Sequence, residues 1–88
     1  MFFNNKPVRK IINGKLYDTS KAEKVISFKH KSVWQYKETL YTLYKGKTEW
    51  FLENSGYIEM LTEDRAKELL VRYDIDKYIK YFGEPELA

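Results

Sequence analysis

Residues 38–61, ETLYTLYKGKTEWFLENSGYIEML, decide the fold. Apolar and polar residues alternate along three short runs separated by turn residues, which predicts three antiparallel strands. A two-residue turn at Lys45-Gly46 or Gly46-Lys47 places Tyr41 and Leu43 on the same face as Trp50 and Leu52, because side chains alternate with period two. Asn54-Ser55-Gly56 fits a three-residue hairpin loop with its glycine in the left-handed position. That closure sets Leu52 opposite Ile58 and Trp50 opposite Met60. Tyr41, Leu43, Trp50, Leu52, Ile58 and Met60 then form one apolar face, and such a face needs a cover.

The flanks supply it. Thr62 is a good N-cap, Glu63 and Asp64 suit the positive end of a helix, and Ala66, Leu69, Leu70 and Tyr73 make a buried stripe. Asp74 caps a second helix with Ile75, Tyr78, Ile79 and Phe82 at i, i+3, i+4 and i+7; Gly83 ends it and Pro85 follows. Upstream, Val8–Ile12 and Lys15–Tyr17 flank Asn13-Gly14, the strongest two-residue turn signal. A hairpin that short must dock on something. Ser20-Lys21-Ala22-Glu23 reads as a capping box, and Ala22, Val25 and Ile26 recur at i, i+3 and i+4 with Phe28 at the stripe's edge. That spacing predicts a helix from about Lys21 to Lys29. Ser32–Lys37 is a connector or the start of the first meander strand. The expectation is a single α+β domain over residues 1–88, with a loose arm at 1–7. Its elements run ββαβββαα, in two layers, with helices on one face of a mostly antiparallel sheet.

A chain of 88 residues buries only about 60–65% of its unfolded surface, so its core is modest. Aromatic residues are abundant at 17%, more than one small core absorbs, and Tyr and Trp favour either core edges or interfaces. With no cysteine there is no disulfide framework and no thiolate zinc site. No apolar run has signal-peptide or bilayer-spanning length, so the expected location is cytoplasmic. Charge is unevenly spread. Residues 1–48 hold 11 Lys/Arg against 3 Asp/Glu, and residues 49–88 hold 5 against 10. Such asymmetry hints at nucleic acid or another acidic partner for the basic half, unless the halves fold together and neutralise each other.

Several stretches resemble a group of small proteins from phages and other mobile elements of Gram-positive and gut bacteria. They are Lys10-Ile11-Ile12-Asn13-Gly14-Lys15-Leu16-Tyr17-Asp18-Thr19, Glu38-Thr39-Leu40-Tyr41, and Lys45-Gly46-Lys47 before an aromatic-Leu strand. The tail adds Leu61-Thr62-Glu63-Asp64-Arg65-Ala66-Lys67-Glu68, Asp74-Ile75-Asp76-Lys77-Tyr78 and Phe82-Gly83-Glu84. Glu53-Asn54-Ser55-Gly56 matches only in part, since the group carries a Gly-rich turn there. The resemblance implies no catalytic residues. It implies a genomic setting in which small proteins often inhibit host defence nucleases by stoichiometric binding.

Catalytic and metal constellations are sparse. A Ser or Thr nucleophile has only His30 as a base, set between Lys29 and Lys31 with nothing to orient it. Asp74 and Asp76 mimic the start of a calcium loop, but Tyr78 stands at the third position and the glycine is missing. The expectation is a non-enzymatic protein with no cofactor and no metal. A small RNase toxin is the outlying alternative, since such proteins use Lys, Arg, Tyr and His on phosphate esters; Arg9, Arg65 and Arg72 are dispersed along the chain.

Two surfaces remain. The meander's second face carries Leu40, Thr42, Tyr44, Glu49, Phe51, Glu53, Tyr57 and Glu59. Aromatics interleaved with carboxylates repel a phosphate backbone and suit a basic protein surface, so Tyr44, Glu49, Phe51, Glu53, Tyr57 and Glu59 are the candidate partner-binding residues. The alternative is that the opening hairpin or the Trp34–Tyr36 segment covers this face. The other surface is basic: Lys6, Arg9, Lys10, Lys15, Lys21, Lys24, Lys29, His30 and Lys31. It suits a nucleic-acid backbone without sequence preference, or is a solvated lysine face. The leading functional expectation is an inhibitor of a host nucleic-acid-targeting defence enzyme, of anti-CRISPR or anti-restriction type. The second is a nucleic-acid-binding accessory protein.

Overall fold

The computed structural model describes residues 6–31 and 38–88. Six strands precede two helices: β1 (Arg9–Ile12), β2 (Lys15–Asp18), β3 (Glu23–His30), β4 (Thr39–Lys45), β5 (Trp50–Asn54), β6 (Tyr57–Leu61), α1 (Glu63–Tyr73) and α2 (Ile75–Phe82). β1 and β2 form a separate hairpin, and β3-β4-β5-β6 form an antiparallel meander in chain order. The α+β class and the placing of helices on one sheet face are as the sequence predicts. The Ser32–Lys37 connector and the first residues of the arm lie outside the described residues.

The predicted helix over Lys21–Lys29 is instead β3, so the element order is ββββββαα. Two local causes account for the difference. The Ser20–Glu23 capping box does not form. Asp18 takes that role for a turn, accepting from the Ser20 amide at 2.9 Å and the Ser20 hydroxyl at 2.6 Å. Its carbonyl also accepts from the Lys21 and Ala22 amides. Next, β3 contains a bulge: Lys24 pairs with Tyr44 and Ile26 with Leu43, leaving Val25 as the extra residue. A bulge breaks the alternation of a strand, and here it brings Val25 and Ile26, adjacent in sequence, to the same core. Apolar spacing of i, i+3, i+4 thus arises without a helix.

The meander's two turns differ from expectation in unequal ways. Between β4 and β5 the loop is four residues long, closed by the Gly46 amide on the Glu49 carbonyl at 2.7 Å. Both lengths are even, so Leu43 still faces the same side as Leu52, its direct partner. Between β5 and β6 the turn has two residues, not three. Ser55 at φ 47° and Gly56 at φ 89° give the doubly positive turn that suits strand twist. A Glu53 carboxylate oxygen accepts from the Gly56 amide at 3.0 Å and braces it. One residue fewer reverses every side chain of β6. Leu52 therefore lies opposite Glu59, Phe51 opposite Met60 and Trp50 opposite Leu61. Ile58 and Met60 leave the helix-covered face, and Leu61 takes their place in the core.

On that face Val25, Leu43, Trp50, Leu52 and Leu61 pack against Ala66, Leu69 and Leu70 of α1. Thr62 caps α1 by accepting from the Arg65 amide, and Asp74 caps α2 by accepting from the Lys77 amide. Tyr78, Tyr81 and Phe82 of α2 close the core, Tyr81 edge-on to Trp50 and Phe82 stacked on it. Tyr81 was not in the predicted stripe, whereas Ile75 was and is 56% exposed.

The second sheet face is covered in part by the β1–β2 hairpin. Tyr17 of β2 meets the Phe51 ring edge-on at 5.3 Å, and Tyr44 stacks on Phe51 from within the sheet. Both Tyr17 and Phe51 are buried. The hairpin is tied to the following turn through Val8 and Thr19, which exchange two hydrogen bonds of 3.0 Å, and through Arg9 Nε to Asp18 Oδ2 at 3.1 Å.

Candidate functional site

The structure separates the six predicted partner-binding residues. Phe51 is 2% exposed and serves as the hairpin's anchor, so it is not a contact residue. Tyr44 is half-buried against it, and burial, with the Glu53 charge adding, raises the Tyr44 hydroxyl above its ordinary pKa. Glu49 sits in the β4–β5 loop and pairs with Lys15 of the hairpin. That contact holds the Lys15 ammonium above its ordinary range. Glu53 braces the β5–β6 turn. Tyr57 and Glu59 lie on the helix side of β6, the opposite face from Phe51, because of the one-residue change in register. Tyr57 is 74% exposed, and Met60, on the hairpin side, is 46% exposed. What the fold does gather is therefore an edge, not a face: among the described residues β6 has a strand partner on one side only, and it presents Tyr57, Glu59 and Met60.

The two edges of the sheet differ chemically. β3 carries Lys24, Lys29, a bulge and Glu23, the charged features that block unwanted strand pairing. Among the described residues of β6, Glu59 is the one charge.

The basic candidates fall mainly on the hairpin side. Residues 6–31 hold eight Lys/Arg against two acids. Lys24 and Lys29 pair with Tyr44 and Leu40, which directs both to the sheet face that carries the hairpin. Lys21 and Lys47 line a groove of about 280 Å³ between hairpin and sheet, floored by Leu16 and Phe51. Arg9 and Lys15 are engaged with Asp18 and Glu49, while Lys10 and Lys31 are exposed. Residues 62–88 hold seven acids against five bases, but Glu84 and Glu86 lie beyond α2, so α1 and α2 with their caps are close to neutral. The excess positive charge therefore lies on the hairpin side without an acidic helix layer opposite it, and Lys15–Glu49 and Lys80–Glu23 link the basic and acidic halves of the sequence.

Asp18 shows how the hairpin side is held. Hydrogen bonds from Ser20, together with the Arg9 and Lys21 charges, keep its carboxyl below the usual carboxylate range despite its burial.

A second site was not anticipated. A cleft of about 220 Å³ runs between α1 and the sheet, with Phe28, Tyr41 and Leu52 on the sheet side and Arg65, Glu68, Leu69, Arg72 and Tyr73 on α1. His30 and Glu59 complete its lining. His30 is the last residue of β3, not a helix-end residue. Tyr41, Phe28 and Tyr73 form a run of near-parallel rings, with centroids 5.6 and 4.5 Å apart and interplanar angles of 18° and 17°. Arg65 pairs with Glu68 at 2.8 Å. Arg72 enters no ion pair among the described residues. Arg65 and Arg72, at i and i+7 on one side of α1, line the cleft together with His30. The available signal was the alternation Ile26, Phe28, His30, masked by the helical reading of the same residues.

Among the described residues, no three His, Asp or Glu side chains gather as metal ligands do, and no helix is long and apolar enough to cross a membrane. Comparisons of the chain with protein-family models, with curated proteins and with solved structures find no match.

Proposed function

We propose that this chain is a non-enzymatic binding protein of a phage or mobile element, working in the host cytoplasm. It inhibits a host nucleic-acid-targeting defence enzyme, of anti-CRISPR or anti-restriction type, by stoichiometric protein–protein contact. The genomic setting comes from the resemblance described above. The observation that supports the mode of action is the β6 edge, where the highly exposed Tyr57 and Glu59 on one face and Met60 on the other flank a strand whose outer edge has no partner among the described residues. An aromatic anchor with an adjacent carboxylate suits a basic protein surface, the kind a nucleic-acid-handling enzyme presents to its substrate. A free edge also lets a partner strand add main-chain hydrogen bonds. The test is pull-down from the native host with the wild-type chain and with Tyr57→Ala and Glu59→Lys. The reading expects a co-purifying nucleic-acid-handling enzyme, lost with both variants while their circular dichroism is unchanged. Retention of the same partner by both variants contradicts the β6 assignment.

A second reading, a nucleic-acid-binding accessory protein, is favoured by the segregation of Lys21, Lys24 and Lys29 to the hairpin side. It predicts binding to random DNA or RNA that weakens steeply with salt, by a slope of about 0.7–0.9 per phosphate neutralised. Lys24→Glu combined with Lys29→Glu, removing two phosphate contacts, should reduce that slope by about 1.4–1.8. Salt-independent binding, or none, removes this reading.

A further inference from the structure

The α1 cleft supports an inference that shares only Glu59 with the β6 edge and nothing with the hairpin side, so its tests turn on Arg72 and the ring stack. We propose that the cleft binds a nucleobase with an attached phosphate, either as a free nucleotide or as the terminus of a strand.

Three features converge on that ligand class. The first is the ring stack. Tyr41, Phe28 and Tyr73 lie nearly parallel and all three line the cleft, so a planar heterocycle can extend the stack from a terminal ring. Base–aromatic stacking accepts any base because every base has a π-face. The second is charge. Glu68 is already matched by Arg65 at 2.8 Å. Arg72, with its guanidinium 5.8 Å from the Tyr73 ring centroid, lines the cleft without an ion-pair partner among the described residues and is left to meet an anion; a guanidinium fork fits phosphate oxygens. The third is carboxylate oxygens: those of Glu59, and the Glu68 oxygen that Arg65, bound to Oε2, leaves open. They work against a bare phosphate, yet they are the acceptors that exocyclic amino groups of cytosine, adenine and guanine need. A site for phosphate alone has no use for them, and a site for a purely apolar group has no use for Arg72. The size agrees. At about 220 Å³ the cleft is below the ~300–1,000 Å³ usual for whole ligands. It therefore takes one base, with the sugar and phosphate along the Arg72 rim.

The experiment is a ¹⁵N–¹H NMR titration of the full chain with AMP, GMP, CMP and UMP in turn, with inorganic phosphate and uridine as single-component controls. Expected are saturable shifts at Phe28, His30, Tyr41, Leu69 and Arg72, at affinities of roughly millimolar or tighter. Arg72→Gln, an exposed substitution that leaves the spectrum folded, should weaken binding about 10-fold or more, a loss usual for one charge-assisted contact. Glu59→Gln should narrow the preference for amino-bearing bases over UMP. A 5′-phosphorylated trinucleotide distinguishes the two sources: tighter binding than the mononucleotide identifies a strand end, and equal binding identifies a free nucleotide. The proposal is overturned if no nucleotide saturates the cleft by roughly 10 mM. It is also overturned if shifts fall on Lys21, Lys24 and Lys29 instead, if phosphate alone reproduces them at equal affinity, or if Arg72→Gln binds as wild type.

Discussion

Replacing Phe51 with alanine tests the role the structure gives this side chain. On a free sheet face, such a change would remove a contact anchor and leave stability within about 0.5 kcal/mol, as exposed substitutions usually do. In the structure Phe51 is 2% exposed, and its ring lies 5.3 Å from both Tyr17 and Tyr44. Truncation therefore leaves a cavity between hairpin and sheet, at about 3–5 kcal/mol for a buried phenylalanine. The two lost ring pairs fall within that figure, each contributing ~0.5–1.5 kcal/mol beyond area. A domain of this kind has about 5–15 kcal/mol in total, so the variant keeps little margin. Urea unfolding followed by circular dichroism should show a midpoint lower by at least ~1 M, taking the steepest usual denaturant dependence of about 3 kcal/mol per M. Tyr57→Ala, at 74% exposed, serves as the control and should unfold with the wild type. Phe51→Ala and Tyr57→Ala with equal midpoints would refute the covered face, and with it the hairpin's docking.

Further expectations follow from single sites. Ser55 holds φ 47°, a conformation costing roughly 1–2 kcal/mol for most residues and less for asparagine; Ser55→Asn should raise the thermal midpoint, whereas Gly56→Val should lower it. Asp18 has a folded pKa below its unfolded value, so its contribution is complete above about pH 4 and fades as pH falls through the lower folded pKa. Asp18→Asn should therefore be less stable than wild type at pH 7, with the gap closing below about pH 4 in urea titrations. Tyr81's buried hydroxyl has no hydrogen-bond partner among the described residues. Tyr81→Phe should accordingly be neutral or stabilising, by up to ~1 kcal/mol in calorimetry, since an unsatisfied buried group costs about 1–3 kcal/mol.

Much of this architecture was legible in local grammar. Asn13-Gly14, with φ of 52° and 78°, makes the opening hairpin; Thr62 and Asp74 accept the amides expected of N-caps, and Gly83 ends α2 at φ 90°. The β4–β5 face survived a wrong loop length because parity is all that matters there. The same parity rule worked against β6, where Ser55 occupies a left-handed position that favours asparagine or glycine. No residue type announced the shorter turn. β3 was hidden by its bulge, which sets Val25 and Ile26 together and imitates a helical stripe. Those two errors carry through to function. The first dispersed the candidate docking residues over both faces, and the second concealed the cleft that joins Phe28 and His30 to Arg65 and Arg72. Burial of Phe51 required knowing which face the hairpin chose, and Tyr17, set between Leu16 and Asp18, gives only half of that contact.

A NOESY spectrum of the wild-type chain tests the two-sided sheet most directly. The structure predicts contacts between the Tyr17 and Phe51 rings, whose centroids are 5.3 Å apart, and backbone contacts placing Leu52 across from Glu59. Backbone contacts placing Leu52 across from Ile58, with no Tyr17–Phe51 cross-peaks, would contradict both the register of β6 and the docking of the hairpin.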